Sequence, residues 1–93
     1  MDIKHRENDS RGMFFVKDEK GIYAELTYQK KAGDILVIDH TEVRPELEGQ
    51  GIATKLLAHS VEFARKNNYK IEPLCPFAEV QFDRNKSYSD VRA

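Results

Sequence analysis

Two glycines, one cysteine and one histidine carry most of the chemistry that this 93-residue chain can offer. Gly49 and Gly51 close the segment Arg44-Pro45-Glu46-Leu47-Glu48-Gly49-Gln50-Gly51, just before residues whose apolar positions fall at helical spacing. Glycine there lets the chain take positive φ and brings backbone close to a ligand. A helix that follows leaves its first N–H groups without intrahelical partners, and its dipole favours negative charge at that end. Gly49, Gln50 and Gly51 lie in the loop, Ile52 and Ala53 add two N–H donors, and Thr54 adds a hydroxyl. The segment therefore reads as a cradle for an anion such as a phosphate. Glu46 and Glu48 work against a phosphate, so backbone donors must dominate. A plain strand–loop–helix turn, with glycine present for geometry alone, is the other reading of the same residues. Spacing excludes two better-known phosphate loops. Gly51 is followed by Ile52-Ala53 instead of Lys and Ser or Thr, and Thr54 stands where a dinucleotide fingerprint needs a third small residue.

Cys75 precedes Pro76 at the start of a predicted short helix. A helix N-terminus lowers a thiol's pKa, and a thiolate can take an acyl group covalently. Burial as a small hydrophobe is the alternative fate. His40 lies late in a predicted strand and is a candidate base for Cys75 or for an incoming amine. A core histidine beside Ile38, bonded to backbone, is the alternative there. His5 and His59 read as surface residues. Asp39, His40 and Glu42 do not converge on a regular strand, because neighbours face opposite sides. No other His/Asp/Glu set has metal-ligand spacing, so no metal is expected.

The elements that must position these residues follow from periodicity. Met13 to Val16 is a short apolar run ended by the turn Lys17 to Gly21. Ile22 to Gln29 alternates, with Ile22, Ala24, Leu26 and Tyr28 on one face, which is the pattern of a half-buried strand. After the turn Lys30 to Asp34, Ile35 to Val43 is a further strand. If regular, it puts His40 on the face of Leu36 and Ile38, and Asp39 and Thr41 on the face of Val37. Pro45 helps end it. From Ile52 the period becomes helical, with Ile52, Ala53, Leu56, Leu57, Ser60, Phe63 and Ala64 on one stripe. Asn67-Asn68 stops that helix. Tyr69 to Cys75 is predicted as a strand in which Pro73 demands an edge position or a bulge. Pro76 suits the first helical position of Phe77 to Phe82. Residues 83–93 are polar and give no clear period. Strands, helix, strand and helix in that order make an α+β or mixed α/β fold with a largely antiparallel sheet.

Composition bounds the function. The chain has room for one domain, 1–93. It carries a net charge of −1 with 40% apolar and 33% charged residues, a globular balance without the basic excess expected for nucleic acid binding. No apolar run approaches the roughly 20 residues of a membrane span. Met1 to Ser10 is polar and does not read as a secretory signal. A single cysteine excludes an intrachain disulfide and a multi-cysteine zinc site. It fits a reducing, cytoplasmic setting.

Val43-Arg44-Pro45-Glu46-Leu47-Glu48-Gly49-Gln50-Gly51-Ile52-Ala53, running into Leu56-Leu57, resembles the acyl-CoA-binding segment of the GNAT N-acetyltransferase superfamily. More closely, the chain resembles the small single-domain GNAT-like proteins. These share a His-Thr-x-Val strand end, here His40-Thr41-Glu42-Val43, a cysteine after the next strand, here Cys75, and a tail like Tyr88-Ser89-Asp90-Val91. The resemblance covers roughly residues 13–91. It implies acetyl-CoA as cofactor, with the backbone of Thr41, Glu42 and Val43 lining the pantetheine arm. It also implies that the amides of Gly49, Gln50, Gly51, Ile52, Ala53 and Thr54 hold the pyrophosphate. The implied activity is acetyl transfer to an unknown amine or protein acceptor, or by way of the Cys75 thiol. A non-catalytic CoA-binding or protein-interaction module is the alternative. Three departures bear on this. Glu46 stands at the Gln/Arg position of the loop pattern, Phe82 stands where a tyrosine acid is usual, and the chain lacks room for the helices that build the usual amine pocket.

Overall fold

A computed structural model describes all 93 residues. Five strands, β1 (Lys4–Glu7), β2 (Arg11–Asp18), β3 (Gly21–Lys31), β4 (Ile35–Val43) and β5 (Lys70–Pro73), form one sheet in that order. The first three pairings are antiparallel, and β4 with β5 is parallel. Helix α1 (Ile52–Asn67) packs across β2 to β5, and α2 (Pro76–Arg84) packs on β5. The architecture is the α+β fold with a mostly antiparallel sheet that the strand and helix periods require.

One core lies between the sheet and its helices. Phe14, Val16, Ala24, Leu26, Tyr28, Leu36 and Ile38 supply the sheet side, and Leu56, Leu57, Val61 and Ala64 the α1 side. Val61 completes the helical stripe. Ile22, at the start of β3, is 41% exposed, so the buried face of β3 begins at Ala24. Ser60 is buried on α1, and its hydroxyl donates to the Leu57 carbonyl at 2.7 Å, which removes the cost of an unpaired polar group. Asn68 ends α1 in the left-handed region with φ 60°, as an asparagine C-cap can.

Strand β1 is invisible in the sequence pattern, because all four of its residues are charged or polar and exposed. Tertiary contacts create it. The His5 ring stacks on Phe14 at 4.2 Å and meets the Phe63 edge at 4.7 Å. His5 Nε2 lies 2.7 Å from the Tyr28 hydroxyl, which donates to Glu7 at 2.8 Å. His5 is therefore a surface residue, as expected, whose ring also packs against an aromatic cluster. Burial lowers its pKa, against the pull of Glu7. Gly12 makes room for this cluster, since a Cβ there would stand 2.3 Å from the Tyr28 ring.

Strand β5 is shorter than expected. It begins at Lys70, after Tyr69 donates its N–H to the Ala64 carbonyl, and it ends on Pro73. It is the edge strand that a proline demands. The tail runs as a 3-10 helix, Lys86–Val91, clamped by Arg65 to both Asp90 oxygens at 2.9 Å. Ala93 N–H then donates to the Ile71 carbonyl, covering the outer side of β5.

Candidate functional site

The site is built where β4 and β5 part. Their pairing stops at Ile38 and Pro73. The N–H groups of Leu74 and Cys75 both donate to the Ile38 carbonyl at 3.0 Å, and the chain then turns away into α2. The remaining half of β4 keeps β3 on one side and has no strand on the other.

A bulge decides how that half faces. His40 pairs with Thr27 and Ile38 with Tyr28, so Asp39 is an extra residue in β4. Beyond the bulge, Thr41 and Val43 oppose Leu26 and Ala24, while His40 and Glu42 oppose Thr27 and Glu25. Thr41 and Val43 thus share the helix-covered face, and His40 and Glu42 share the uncovered one. This reverses the facing expected from a regular strand. His40 is not on the core face beside Ile38. Its side chain is 50% exposed, with Nε2 at 3.5 Å from Glu42.

The bulge also turns the backbone. Arg44 N–H donates to the Tyr23 carbonyl on β3 at 2.7 Å. Alternate residues of an antiparallel strand turn their polar groups to the same partner. Glu42 therefore faces β3, and Thr41 and Val43 present N–H and C=O to the open side.

The glycine loop continues from this edge. Pro45–Leu47 is a single 3-10 turn, and Gly49 and Gly51 follow with φ of 80° and 78°. Gly51 caps α1 from the left-handed region, and no side chain caps the helix. The N–H groups of Gly49, Gln50, Gly51, Ile52, Ala53 and Thr54 donate to no acceptor in the chain; the first amide with a partner is that of Lys55, bonded to the Gly51 carbonyl. Six consecutive free amides leading into a helix N-terminus offer an anion backbone donors and the positive end of the helix dipole. A shallow cleft of about 220 Å³ joins the cradle to Val43 and to Phe77 of α2. Phe77 carried no signal in the sequence beyond its place two residues after Cys75.

Nearby charges are already distributed. Arg44 donates to both Asp18 oxygens and lies over the Tyr23 ring, so it is committed to structure. Lys55, on the first turn of α1, is exposed and makes no ion pair. Glu48 lines the cleft, which leaves the free amides as the main attraction for an anion.

Cys75 stands at the apex of the opening but inside it. It is 6% exposed within the core, and its Sγ accepts the Ala78 N–H at 3.4 Å as the N-cap of α2. The structure brings Cys75 and the open half of β4 together through Ile38. It does not bring Cys75 and His40 together, since the thiol lies in the core and the imidazole on the uncovered face. Tyr88 packs on Phe82 at 5.4 Å, near the Arg65–Asp90 clamp at the C-terminal end of α1 and away from the glycine loop. No group of three or more His, Cys, Asp or Glu side chains is arranged to hold a metal ion, and no helix is long and apolar enough to cross a membrane.

The free edge of β4 thus leads directly into the run of unpaired amides. The sequence model of the GCN5-related N-acetyl-transferase family matches residues 13–91, and the chain belongs to that family. A GCN5-like protein of Staphylococcus aureus, solved by NMR, is 38% identical over 97% of this chain and 87% of its own, with a TM-score of 0.75. More distant likenesses show the fold alone. The ribosomal-protein-S18-alanine N-acetyltransferase of Escherichia coli is 18% identical, covering 70% of this chain and 42% of its own, with a TM-score of 0.60. A streptothricin acetyltransferase assigned in Bacillus anthracis, crystallised with acetyl coenzyme A, is 15% identical over 83% of this chain and 46% of its own, also at 0.60. This chain thus spans less than half the length of either. Among curated proteins, none matches the sequence.

Proposed function

We propose that this protein binds acetyl-CoA and transfers its acetyl group to an amine presented at the uncovered face of the sheet. The observation that carries the reading is the run of six free amides from Gly49 to Thr54, set against the unpaired edge of β4. The amides and the α1 dipole hold the pyrophosphate. Thr41 and Val43 pair with the pantetheine amides, as a strand would, with Glu42 holding β4 to β3 between them. Lys55, exposed on the first turn of α1 and in no ion pair, takes the remaining phosphate. Acetyl-CoA supplies an activated acyl carbon.

His40 is exposed on the face an acceptor can approach, and it takes the proton that the amine loses as its nitrogen bonds to the acyl carbon and CoA leaves as the thiol. N–H groups at the strand ends polarise the acyl carbonyl, usually the largest single contribution in such chemistry. Because the uncovered face has no enclosing helices, the acceptor is an exposed amine on a larger body.

One observation favours a second reading. Cys75 sits beneath the Ile38 carbonyl, where β4 and β5 separate. In this route the thiol gives up its proton, its sulfur bonds to the acyl carbon, and CoA leaves, so the acetyl group rests on the protein. Intact-mass spectrometry after incubation with acetyl-CoA tests both. Native spectra should show bound cofactor. With an added amine panel, CoA release is expected from wild type and from Cys75→Ala alike, and slower from His40→Ala. An acetyl adduct on denatured wild type, absent from Cys75→Ala together with all CoA release, would establish the thiol route instead. Bound cofactor with neither adduct nor release would leave a CoA-binding module.

A further inference from the structure

We infer that Asp39 is a positioning residue for the cofactor-facing half of β4. The inference rests on the reading that pantetheine lies along that edge. Asp39 is the inserted residue of the bulge, and its carboxylate points to the uncovered face. There it accepts from Thr27 Oγ1 at 2.6 Å, Gln29 Nε2 at 2.8 Å and Arg11 Nη2 at 3.1 Å. Those three donors come from β2 and β3, so the carboxylate ties the irregular point of β4 to two neighbouring strands.

The carboxylate is shielded, while its partner Arg11 remains half exposed. The Asp39 side chain is 17% exposed. Burial opposes its ionisation, and the hydrogen bonds from Thr27, Gln29 and Arg11 outweigh burial, so its pKa lies below the usual carboxylate value.

The consequence reaches the cofactor through the backbone. Ile38 turns its carbonyl toward β5. Regular alternation would then turn residues 40 and 42 to the open side and residue 44 away from β3. The insertion at Asp39 reverses this, so that Arg44 faces β3 and Thr41 and Val43 face the opening. A bulge is also a register choice, and a strand whose bulge slips exchanges its two faces. Fixing the bulge with an anchored carboxylate fixes which amides meet the pantetheine and keeps His40 on the acceptor's side. Thr27 and Gln29 carried no functional signal in the sequence. The alternation that puts them beside Asp39 becomes visible only with the register.

Isothermal titration of wild type and Asp39→Ala with two probes tests the assignment. Acetyl-CoA engages both strand and loop, whereas adenosine 5′-diphosphate 3′-phosphate engages the loop alone. Asp39→Ala should weaken acetyl-CoA by roughly tenfold or more, the size expected for losing a charged hydrogen-bond cluster, and leave the nucleotide fragment unchanged. Asp39→Asn, which keeps one oxygen acceptor, should fall between the two. Thr27→Val should move the same way by a smaller factor and serves if Asp39→Ala does not fold. Amide hydrogen exchange gives a second readout without ligand. Glu42 N–H, bonded to β3, should be protected in wild type and lose protection in Asp39→Ala. A merely structural role would lower the melting temperature and leave the ratio of the two affinities intact, which overturns the inference. Equal acetyl-CoA affinity in wild type and Asp39→Ala would overturn it too. Wild type failing to bind acetyl-CoA at all would instead overturn the proposed function, and this inference with it.

Discussion

The sheet has a finished end and an unfinished end. At β1 and β2, Phe14 is fully buried and meets His5, Tyr28, His59 and Phe63 at ring distances of 4.2 to 5.8 Å. The one hydroxyl in that cluster bonds both His5 and Glu7. At the other end, β4 loses its neighbour after Ile38, and six consecutive amides donate to nothing in the chain. Satisfied polar groups and dense aromatic packing hold a fold together. Backbone donors without partners are tolerated where water or a ligand reaches them. On the proposed reading, stability and binding reside in different parts of a small molecule, and substitutions should separate them.

The largest effect is expected at the finished end. Phe14→Ala removes the ring at the centre of the cluster and should cost about 3–5 kcal/mol. Domains of this kind are stable by only about 5–15 kcal/mol in total. Urea denaturation should show a large fall in midpoint. Acetyl-CoA affinity of the folded protein, measured at low temperature, should remain near that of wild type. A matching loss of affinity would mean that the two ends are coupled through α1 and would break the contrast.

A smaller effect on stability, but a large one on binding, is expected at Gly51. Its φ of 78° suits glycine, and a built Cβ meets nothing within 4 Å, so backbone strain rather than crowding is the obstacle. A β-branched residue held there costs about 1–3 kcal/mol, or the loop relaxes and scatters its amides. Gly51→Val should weaken acetyl-CoA by at least roughly tenfold. Gly51→Asn, whose short polar side chain visits the left-handed region, should lose much less. Equal affinity in wild type and a folded Gly51→Val protein would remove the cradle from the site.

The two ends also differ in how far the sequence discloses them. The Gly-x-Gly loop, the helix after it and the strand before it were legible because each follows a local rule: positive φ for glycine, a helical stripe, alternation. The α+β class followed from the same periods. The bulge at Asp39 was not legible, since nothing in Ile35 to Val43 marks an inserted residue. It depends on Thr27, Gln29 and Arg11 from other strands. Reading β4 as regular placed His40 on the wrong face. Strand β1 was hidden for a similar reason. Lys4-His5-Arg6-Glu7 has no apolar alternation, and only its contacts with Phe14, Tyr28 and Phe63 make it a strand.

The smallest effect sharpens the contrast by pH. Burial against the aromatic cluster lowers the pKa of His5, with Glu7 opposing and His59 and Lys30 adding to the shift. The unfolded chain holds this histidine near its ordinary value of about 6.5. Between that value and the lower folded one, the unfolded state binds more protons, so stability rises with pH there. The contribution of neutral His5 is complete above about 6.5 and is lost as pH falls through the folded pKa. Partial exposure of the ring keeps it small. The paired carboxylates of Glu7, Asp18, Asp39 and Asp90 are also lowered; their contribution is present above their ordinary values of about 4 and is lost only as pH falls below them. A separate window just under pH 6.5 therefore belongs to histidine, and His5 is the histidine stacked on Phe14 whose pKa burial lowers. His5→Phe keeps an aromatic ring on Phe14 and removes the titration. Urea midpoints measured from pH 7.5 to 5.0 should decline for wild type and stay flatter for His5→Phe, whatever the offset caused by losing the bond to Tyr28. Acetyl-CoA affinity of His5→Phe at pH 7.5 should match wild type. Parallel declines in the two proteins would show that the cluster is indifferent to the charge on His5.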